Sequence, residues 1–486
     1  MTFRHKPAPV PPPGFWERSE VSQALTNRDI GLAIRIFRKW TGASQTDVGM
    51  MIDLPQPHVS EIERGARKVT SIGLLERIAD GLDIPRSMLG LGPRDTEKEE
   101  AQQEPIAESH QSWLATRKFL GANRGSLTKA VYKLYPESLR VEDTGILIPP
   151  AWRLERPIDL SVARLQWQEE TPRPNVNGGE RETRRTRPLL STGRHYSRYH
   201  RAMRDLARPR LFDNRLCYRL LDVAPDQEGQ SVHTALDLTL GQMCYFDMID
   251  VGEALAHEAA AAAYQADGQM NSDAVKWENL PFRRLIRNPL DLTSFPLMIS
   301  VSTLTVRASK GESTFFLMRR NPARVAVAGG MLSVIPTGVF QPASVLPAPE
   351  SPDFDLWRNV MREYSEELLG NPEHDGGGSP IDYSREEPFR SLDEARKEGR
   401  VRIYCLGVGV DALNYVGDVL TVAIFDADVF DSIFGEMIEQ NDEGEVDSEE
   451  FPFTPESIRR ILDRETVAPS GAACLHLAAQ HHAILT

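Results

Sequence analysis

One stretch constrains the fold of this chain more than any other: SQTDVGMMIDLPQPHVSEIERGARK, residues 44–68. Val48, Met51 and Ile52 recur at the i, i+3 and i+4 spacing that gives a helix one buried face. Ser44 stands where an N-cap belongs, and Asp47 adds an acid to the first turn, where the helix dipole favours negative charge. We therefore predict a short helix that begins directly after Ser44.

A second short helix is predicted after a break at Leu54-Pro55. Val59 and Ile62 form its inner face, and prolines are tolerated in its first turn because first-turn amides have no internal partner. Gly65 ends this helix, as a left-handed C-cap would.

Amphipathic helices flank this pair and complete a small bundle. They are predicted over residues 30–40 and 71–82, with a last short helix over residues 85–89. The inward positions of the helix over 71–82 are Ile72, Leu75, Ile78, Ala79 and Leu82.

The run from Ile30 to Ile84 resembles the Cro/cI-like (XRE) helix-turn-helix family, with which it shares the SQ opening, the VSEIERG block and the helix that follows. The resemblance implies that the second helix enters the major groove of DNA with its N-terminal residues at base edges. It assigns base or phosphate contact to Gln56, His58 and Ser60, a phosphate anchor to Gln45, and further phosphate contacts to Arg64, Arg67 and Lys68.

Two departures from the family pattern concern the reading helix. Pro57 removes a side chain that could read a base, and Glu61 either accepts from a cytosine or pairs within the helix. These residues therefore leave the operator sequence open. The alternative interpretation is a helical bundle whose exposed glutamines and arginines are only solvated.

The whole chain is acidic, with a formal net charge of −14 and a pI of about 5.4. That charge excludes general coating of nucleic acid but not a sequence-specific regulator, because only the docking face must be basic. The four cysteines are scattered without a CxxC pair, so neither a disulfide framework nor a cysteine zinc site is indicated. No apolar run reaches the length of a membrane span, and we predict a cytoplasmic protein.

We predict a multidomain chain in which an all-α helix-turn-helix domain precedes α+β regions. The proline-rich residues 1–22 are predicted to be a disordered arm, residues 23–91 the helix-turn-helix domain, and the polar residues 92–109 a linker. Residues 110–290 are predicted to form an α+β middle region, and residues 291–486 a C-terminal domain. The middle region is either a separate domain or an N-terminal elaboration of the C-terminal one.

Two features stand out in the middle region. Residues 110–139 have a helical pattern, which we interpret as two helices joined at residues 121–125 that serve as a dimerisation element or as a lid. Residues 181–210 contain ten arginines and two acids, interleaved with tyrosine and histidine. This stretch predicts a nucleotide-phosphate pocket or a second contact with the DNA backbone, against the alternative of a solvated loop. The candidate ligand residues are Arg184, Arg185, Arg194 and Arg198.

One arginine and three glutamates cluster on a helix predicted over residues 354–369: Arg362, Glu363, Glu366 and Glu367. Carboxylates at i, i+3 and i+4 share one face of a helix, and a divalent cation would neutralise them. This block and the strands before it resemble the Nudix hydrolase fold, a mixed sheet between helices. The resemblance implies that the glutamates hold Mg²⁺ on a diphosphate and help to activate water. No glutamate follows Gly338 at the family spacing, so the motif is degenerate and we predict binding without hydrolysis.

Together these features predict a sequence-specific transcription regulator that binds a pseudo-palindromic operator in double-stranded DNA as a homodimer. Its Nudix-like domain would sense a nucleotide-like or phosphorylated ligand, and Mg²⁺ is the cofactor that Glu363, Glu366 and Glu367 could hold. The combination resembles actinobacterial regulators that join two such domains. Two other classes stay open: a Mg²⁺-dependent nucleoside-diphosphate hydrolase tethered to DNA, and a protein-interaction module in plasmid or phage-related control.

Overall fold

The computed structural model describes most of the chain. The described residues are 11–12, 14–91, 106–191, 193–210, 212–225, 236–265, 268–320, 330–344, 348–374, 380–435, 444–446 and 450–486.

The α-helices of these residues are, in chain order, α1 (Ser19–Thr26), α2 (Ile30–Thr41), α3 (Gln45–Ile52), α4 (Gln56–Arg64), α5 (Ile72–Gly81), α6 (Ile106–Tyr132), α7 (Tyr199–Leu206), α8 (Tyr245–Met248), α9 (Ala254–Ala263), α10 (Leu356–Glu367), α11 (Phe389–Lys397), α12 (Ala427–Phe434), α13 (Pro455–Arg464), α14 (Pro469–Gln480) and α15 (His482–Leu485). A turn of 3₁₀-helix follows α5 at Arg86–Leu89, and a π-helical segment, Ile249–Glu253, joins α8 to α9.

The strands are β1 (Ile146–Leu147), β2 (Ile158–Asp159), β3 (Ala163–Trp167), β4 (Leu189–Ser191), β5 (Arg194–His195), β6 (Leu216–Pro225), β7 (Leu236–Cys244), β8 (Ile299–Ala308), β9 (Thr314–Phe315), β10 (Leu317–Arg320), β11 (Leu332–Val334), β12 (Thr337–Val339), β13 (Val401–Asp411), β14 (Gly417–Asp426), β15 (Gly444–Val446) and β16 (Phe451–Pro452).

The chain folds into two compact units. The first contains Met1–His110, Arg187–Arg208 and Phe212–Arg215, and the second contains Gln111–Thr186, Pro209–Leu211 and Leu216–Thr486. No division falls near residue 290, so the middle region is not a unit of its own. Most of it folds with the C-terminal residues, whereas part of its arginine-rich stretch folds with the N-terminal helices.

The core of the first unit is formed by α1 to α5 and by residues that precede α1. Phe15 and Trp16 are buried, and Trp16 stacks on Phe37 of α2 with ring centroids 5.8 Å apart. The prediction of a disordered arm is therefore wrong for residues 14–22, because two buried aromatic rings are enough to order the backbone that leads into α1. Residues 1–10 and 13 of the predicted arm lie outside the described residues.

The predicted helices of the bundle are confirmed, with one inward position corrected. Ile72 is 69 % exposed, because it is the first residue of α5 and that end of the helix is not covered. The buried stripe of α5 begins at Leu74 and Leu75 and continues through Ile78 and Ala79.

The predicted hairpin over residues 110–139 is wrong, because α6 runs without a break through both of its glycines. A glycine inside a helix lowers its stability by only about 1 kcal/mol relative to alanine. A helix that packs well against its neighbours therefore continues through a glycine. Gly125 serves close packing instead, since an added Cβ would lie 2.8 Å from the side chain of Thr466. The helix also begins within the predicted linker, at Ile106, and residues 92–105 lie outside the described residues.

The second unit is organised on a mixed sheet with the order β1-β13-β14-β8-β9-β16, to which β2 and β12 add at β13 and β8. β14 and β8 are parallel, and the other pairs of this sheet are antiparallel. Two small sheets, β11-β10-β15 and β3-β7-β6, complete the strands of this unit. α14 packs against β8, β13 and β14, and α10 packs against β8 and β12. No helix among the described residues is long and apolar enough to cross a membrane.

Candidate nucleic-acid interface

The helix pair α3–α4 is held in shape by caps that the sequence predicts. Ser44 and Asp47 form a reciprocal capping box at the start of α3, with each side chain accepting from the other's backbone N–H. Gly65 ends α4 in the left-handed conformation, at φ 75°. Gly49 allows the turn to fold back on α3, because an added Cβ would lie 2.5 Å from the carbonyl oxygen of Leu54.

A chain of polar contacts connects α2, α3 and the first residue of α4. Arg38 donates to both carboxylate oxygens of Glu63 at 2.9 Å. The Gln45 amide donates to Glu63 at 2.6 Å, and the Gln56 amide donates to the Gln45 carbonyl at 2.6 Å. Because Glu63 is only 5 % exposed, this chain is fixed from the inside of the bundle and holds Gln56 at the N-terminal end of α4.

The Gln45 side chain is therefore engaged on both its nitrogen and its oxygen. Gln45 thus holds Gln56 through a hydrogen bond, and its contact with a phosphate stays a prediction. Gln56 itself is exposed.

The remaining predicted DNA-contacting residues lie along α4 and just after it. His58 and Ser60 are half-buried, whereas Arg64, Arg67 and Lys68 are exposed. Burial, together with the charges of Arg67 and Arg77, lowers the pKa of His58 despite the opposing effect of Glu61. His58 is therefore neutral at pH 7 and offers one donor and one acceptor.

The sequence left two roles open for Glu61: accepting from a cytosine, or pairing with a residue of the protein. The structure shows a pairing within the protein. Its carboxylate lies 3.6 Å from the guanidinium of Arg67, with both side chains about two-fifths exposed. An exposed pair at this distance stabilises the protein little.

Sequence reasoning missed an ionic cluster around the turn between α3 and α4. Asp53 caps α3 in the left-handed conformation, at φ 59°, and its carboxylate accepts from His200 and Arg201, both in α7. Arg201 also donates to the carbonyl oxygen of Met51 at 3.2 Å. Burial raises the pKa of Asp53, but the charges of His200 and Arg201 outweigh it and hold that pKa well below its usual range.

This cluster joins a segment far along the chain to the helix pair. The partners are separated by about 150 residues in sequence, and only the arginine excess of residues 181–210 signalled that the segment was unusual. The same segment pairs with the start of α6, because the backbone N–H of Leu189 donates to the Ser109 hydroxyl at 3.0 Å.

The four arginines proposed as a phosphate pocket do not belong to one unit. Arg184 and Arg185 lie in a 3₁₀-helical segment of the second unit, whereas Arg194 and Arg198 lie in the first. Neither unit contains all four residues by itself.

The glutamates of α10 contact separate neighbours. The Glu363 carboxyl fills the space beside Gly338, where an added Cβ would lie 1.9 Å from it. Glu367 accepts from the backbone N–H of Thr337 at 3.2 Å, and Glu366 accepts from that of His374 at 3.2 Å. Among the described residues no three Asp, Glu, His or Cys side chains are grouped to hold a metal ion. Glu363 and Glu367 thus both face β12, at Gly338 and Thr337, whereas Glu366 faces the segment that follows α10. The Mg²⁺ site stays a prediction.

Arg362 of the same block is structural. It is buried and donates to the carbonyl oxygen of Gln341 at 2.7 Å and to Asn359 at 2.8 Å. Both hydrogen bonds come from one nitrogen of the guanidinium, and the contact of Arg362 with a ligand stays a prediction.

An open cleft of about 770 Å³ lies beyond the C-terminal end of α10, between α11 and α12. Its charged lining contains three acids and one arginine: Glu387, Glu394, Asp428 and Arg400. The excess of carboxylates makes this cleft better suited to a neutral or cationic group than to a phosphate.

Comparison with known proteins supports the first unit only. Residues 29–90 match the family model of the helix-turn-helix domain. The match spans α2 to α5 and therefore includes both helices of the pair. No curated protein matches the chain. The chain thus contains a DNA-binding helix-turn-helix domain, followed by a region of mixed sheet and helices.

Proposed function

We propose that the protein is a sequence-specific transcription regulator of the XRE type that reads DNA through α4. The observation that carries this proposal is the polar chain from Arg38 through Glu63 and Gln45 to Gln56. A reading side chain that is already oriented loses less conformational freedom when DNA binds, so more of its contact energy remains as affinity.

Gln56 has the chemistry for base reading. A glutamine amide can donate and accept at once, which matches N7 and N6 of an adenine in the major groove. Neutral His58 and the Ser60 hydroxyl can read either a donor or an acceptor from the same helix. Arg64 and Lys68 would contact phosphates, which fix the register of α4 on the duplex without reading its sequence.

We further propose that two copies bind one pseudo-palindromic operator. A single short reading helix touches few base pairs, and a second half-site multiplies both affinity and specificity. Sedimentation of the protein with its operator, and with a single half-site as control, checks the stoichiometry. A one-to-one complex on the full operator would contradict the dimer.

For the second unit we propose a sensory role in which a small molecule binds without being hydrolysed. The cleft beside α11 and α12 has a volume in the range of ligand pockets. Its carboxylates favour the base or sugar of a nucleotide-like ligand over its phosphates. Because no glutamate follows Gly338 at the family spacing, hydrolysis is not part of the proposal.

Selection of duplexes from a random library by the full-length protein tests the DNA-reading role. Gln56→Ala plus Arg64→Ala should lose the sequences that the wild type enriches. The matched control is Gln480→Ala plus Arg459→Ala, which removes the same two residue types from exposed positions of the second unit. Unchanged retention by the Gln56 and Arg64 variant would contradict the proposal.

A thermal-shift screen with nucleotides, nucleosides and nucleotide sugars, each with and without Mg²⁺, tests the sensory role. A ligand at a hundred times its Kd should add about 2.7 kcal/mol of stability. We expect a selective shift, with the ligand recovered intact. A ligand that is consumed would indicate a hydrolase, and a screen without shifts would remove the small molecule from the proposal.

A further inference from the structure

The helix-turn-helix domain carries no net charge of its own. Residues 14–91 contain ten lysines and arginines against ten aspartates and glutamates. Several of these arginines are already paired, as in Arg38 with Glu63 at 2.9 Å and Arg86 with Glu76 at 2.7 Å. Because the neutralisation of phosphates contributes a large share of DNA affinity, a domain without net charge binds DNA more tightly when further positive charge lies beside its docking face.

The segment Arg187–Arg208, which we call the arginine segment, supplies that charge. It contains six arginines and one aspartate, in a chain whose overall net charge is −14. It comprises the hairpin β4–β5 and α7, and it belongs to the same compact unit as the helix pair. The first unit therefore becomes basic only when this distant segment folds onto it.

The arginine segment is attached by a buried ionic cluster rather than by loose surface contacts. Asp53, His200 and Arg201 are 8 %, 0 % and 6 % exposed, so the attachment excludes water. Arg208 adds a contact to the Met50 sulfur at 3.2 Å. An attachment of this kind gives the segment a defined position beside the turn of the helix pair.

Positive charges connect this attachment point to the reading helix. Arg67 and Arg77 both act electrostatically on His58 of α4. Arg77 also donates to the carbonyl oxygen of Asp53 at 3.3 Å, and Arg198 of the arginine segment acts on the Asp53 carboxylate. Three arginines, Arg67, Arg77 and Arg198, thus lie within electrostatic range of α4 or of the turn that precedes it.

Four of the segment's six arginines fall into two groups. Arg201 is buried in the attachment, and Arg204 donates to Asp205 at 2.6 Å. Arg194 is exposed in the hairpin, and Arg198 is half-buried at the start of α7. The guanidinium fork of arginine binds phosphate oxygens in pairs, which suits the second group to a polyanion.

We propose that the arginine segment is the second part of the DNA-binding surface, and that Arg194 and Arg198 contact phosphates next to the groove entered by α4. This inference rests on the proposed function, which it extends with a contact outside the helix-turn-helix domain. The segment adds affinity without reading sequence, whereas α4 provides the specificity.

The test measures how DNA affinity depends on salt. Full-length protein is titrated by fluorescence anisotropy against its selected operator and against a random duplex of equal length, from 50 to 200 mM KCl, a range over which phosphate contacts dominate affinity. Arg194→Ala plus Arg198→Ala should lower the slope of log K against log salt by about 2, one for each phosphate that the variant no longer neutralises. Both duplexes should be weakened by the same factor.

Three further variants make the result specific. Arg385→Ala plus Arg459→Ala removes the same charge from exposed positions of the second unit and should leave the slope unchanged. Arg194→Lys plus Arg198→Lys keeps the charge and should retain most of the slope. Arg194→Ala alone, at an exposed position, should lower the slope by about 1 even if Arg198 also supports folding.

The failure of this inference is distinguishable from that of the proposed function. A wild-type slope in the Arg194 and Arg198 variant overturns the inference, while loss of operator preference in Gln56→Ala still supports the reading role of α4. Wild-type protein that binds neither duplex overturns both.

Discussion

The ionic cluster at the turn of the helix pair gives the sharpest prediction about stability. In Asp53→Asn the side chain keeps its size and its tolerance of the left-handed conformation, so the change removes the charge and little else. His200 and Arg201 would then remain buried without a carboxylate. Removing one partner of a buried pair costs about 3–5 kcal/mol, because the other charge stays desolvated.

Asp83→Asn is the matched control. Asp83 is also an aspartate with positive φ, at 55°, in the first unit, but it is exposed. The loss of an exposed charge should change stability by no more than about 0.5 kcal/mol. Both variants change an aspartate with positive φ. The difference between their losses of stability therefore measures the effect of burying the charge, apart from the effect of the backbone conformation.

Hydrogen exchange is the appropriate assay, because it reports the stability of each helix and of each compact unit separately. Amides of α4 and α7 in Asp53→Asn should exchange roughly 100-fold faster or more, since 1.4 kcal/mol corresponds to a factor of ten. Amides of β13 and β14 in the second unit should be unaffected. Unchanged exchange in α7 would refute the view that the cluster attaches the arginine segment.

The sign of the pH dependence follows from the lowered pKa of Asp53. A carboxyl whose folded pKa is depressed stabilises the fold above its unfolded pKa of about 3.9, and that stabilisation is lost as the pH falls through the folded value. The difference between wild type and Asp53→Asn should therefore persist from pH 6 down to about pH 4 and shrink only below it.

Other residues give further expectations. Burial and the charge of Arg117 lower the pKa of His257 to about 3, so this side chain stays neutral in the fold and takes up a proton on unfolding below about pH 6.5. Lowering the pH to 5 should cost the second unit about 2 kcal/mol through this residue, and His257→Gln should remove that part of the pH dependence in urea titrations at pH 5 and 7. Gly338→Ala should destabilise the second unit by about 1–3 kcal/mol through the overlap with Glu363, and Glu363→Ala in the same chain should recover much of the loss in thermal melts. Ser44→Ala should destabilise α3 by about 1 kcal/mol because the cap is removed; a change too small to detect would mean that tertiary packing alone holds that end of the helix.

Capping and helical periodicity were sufficient to predict a helix wherever the contacts that define it are made by residues close in sequence. The cap at Ser44, the stop at Gly65 and the amphipathic faces of α2 and α5 were predictable, because capping and helical periodicity act within one or two turns. The same rules failed at α6, where glycine is a weak helix former but the packed helix continues.

Composition signalled other features without identifying their partners. The proline-rich composition of the first residues predicted disorder and did not indicate that Phe15 and Trp16 are buried. Their burial depends on Phe37 and on the helices that follow them. The arginine excess of residues 181–210 was evident, but the segment was assigned to a middle region, and a phosphate pocket and a second contact with the DNA backbone stayed alternatives. The glutamate block of α10 was also evident, but not that two of its carboxylates would face β12 and the third the backbone of His374.

The sequence by itself determined the helix-turn-helix bundle, because the bundle depends on spacings within about 60 residues that match a family model. Only the tertiary structure decided that Asp53 would meet His200 and Arg201, which lie about 150 residues further along the chain. Pairing of that kind leaves no periodic trace in the sequence, since it depends on how the chain returns to the first unit after entering the second. A buried carboxylate needs partners that water no longer provides, and in this fold α7 provides them.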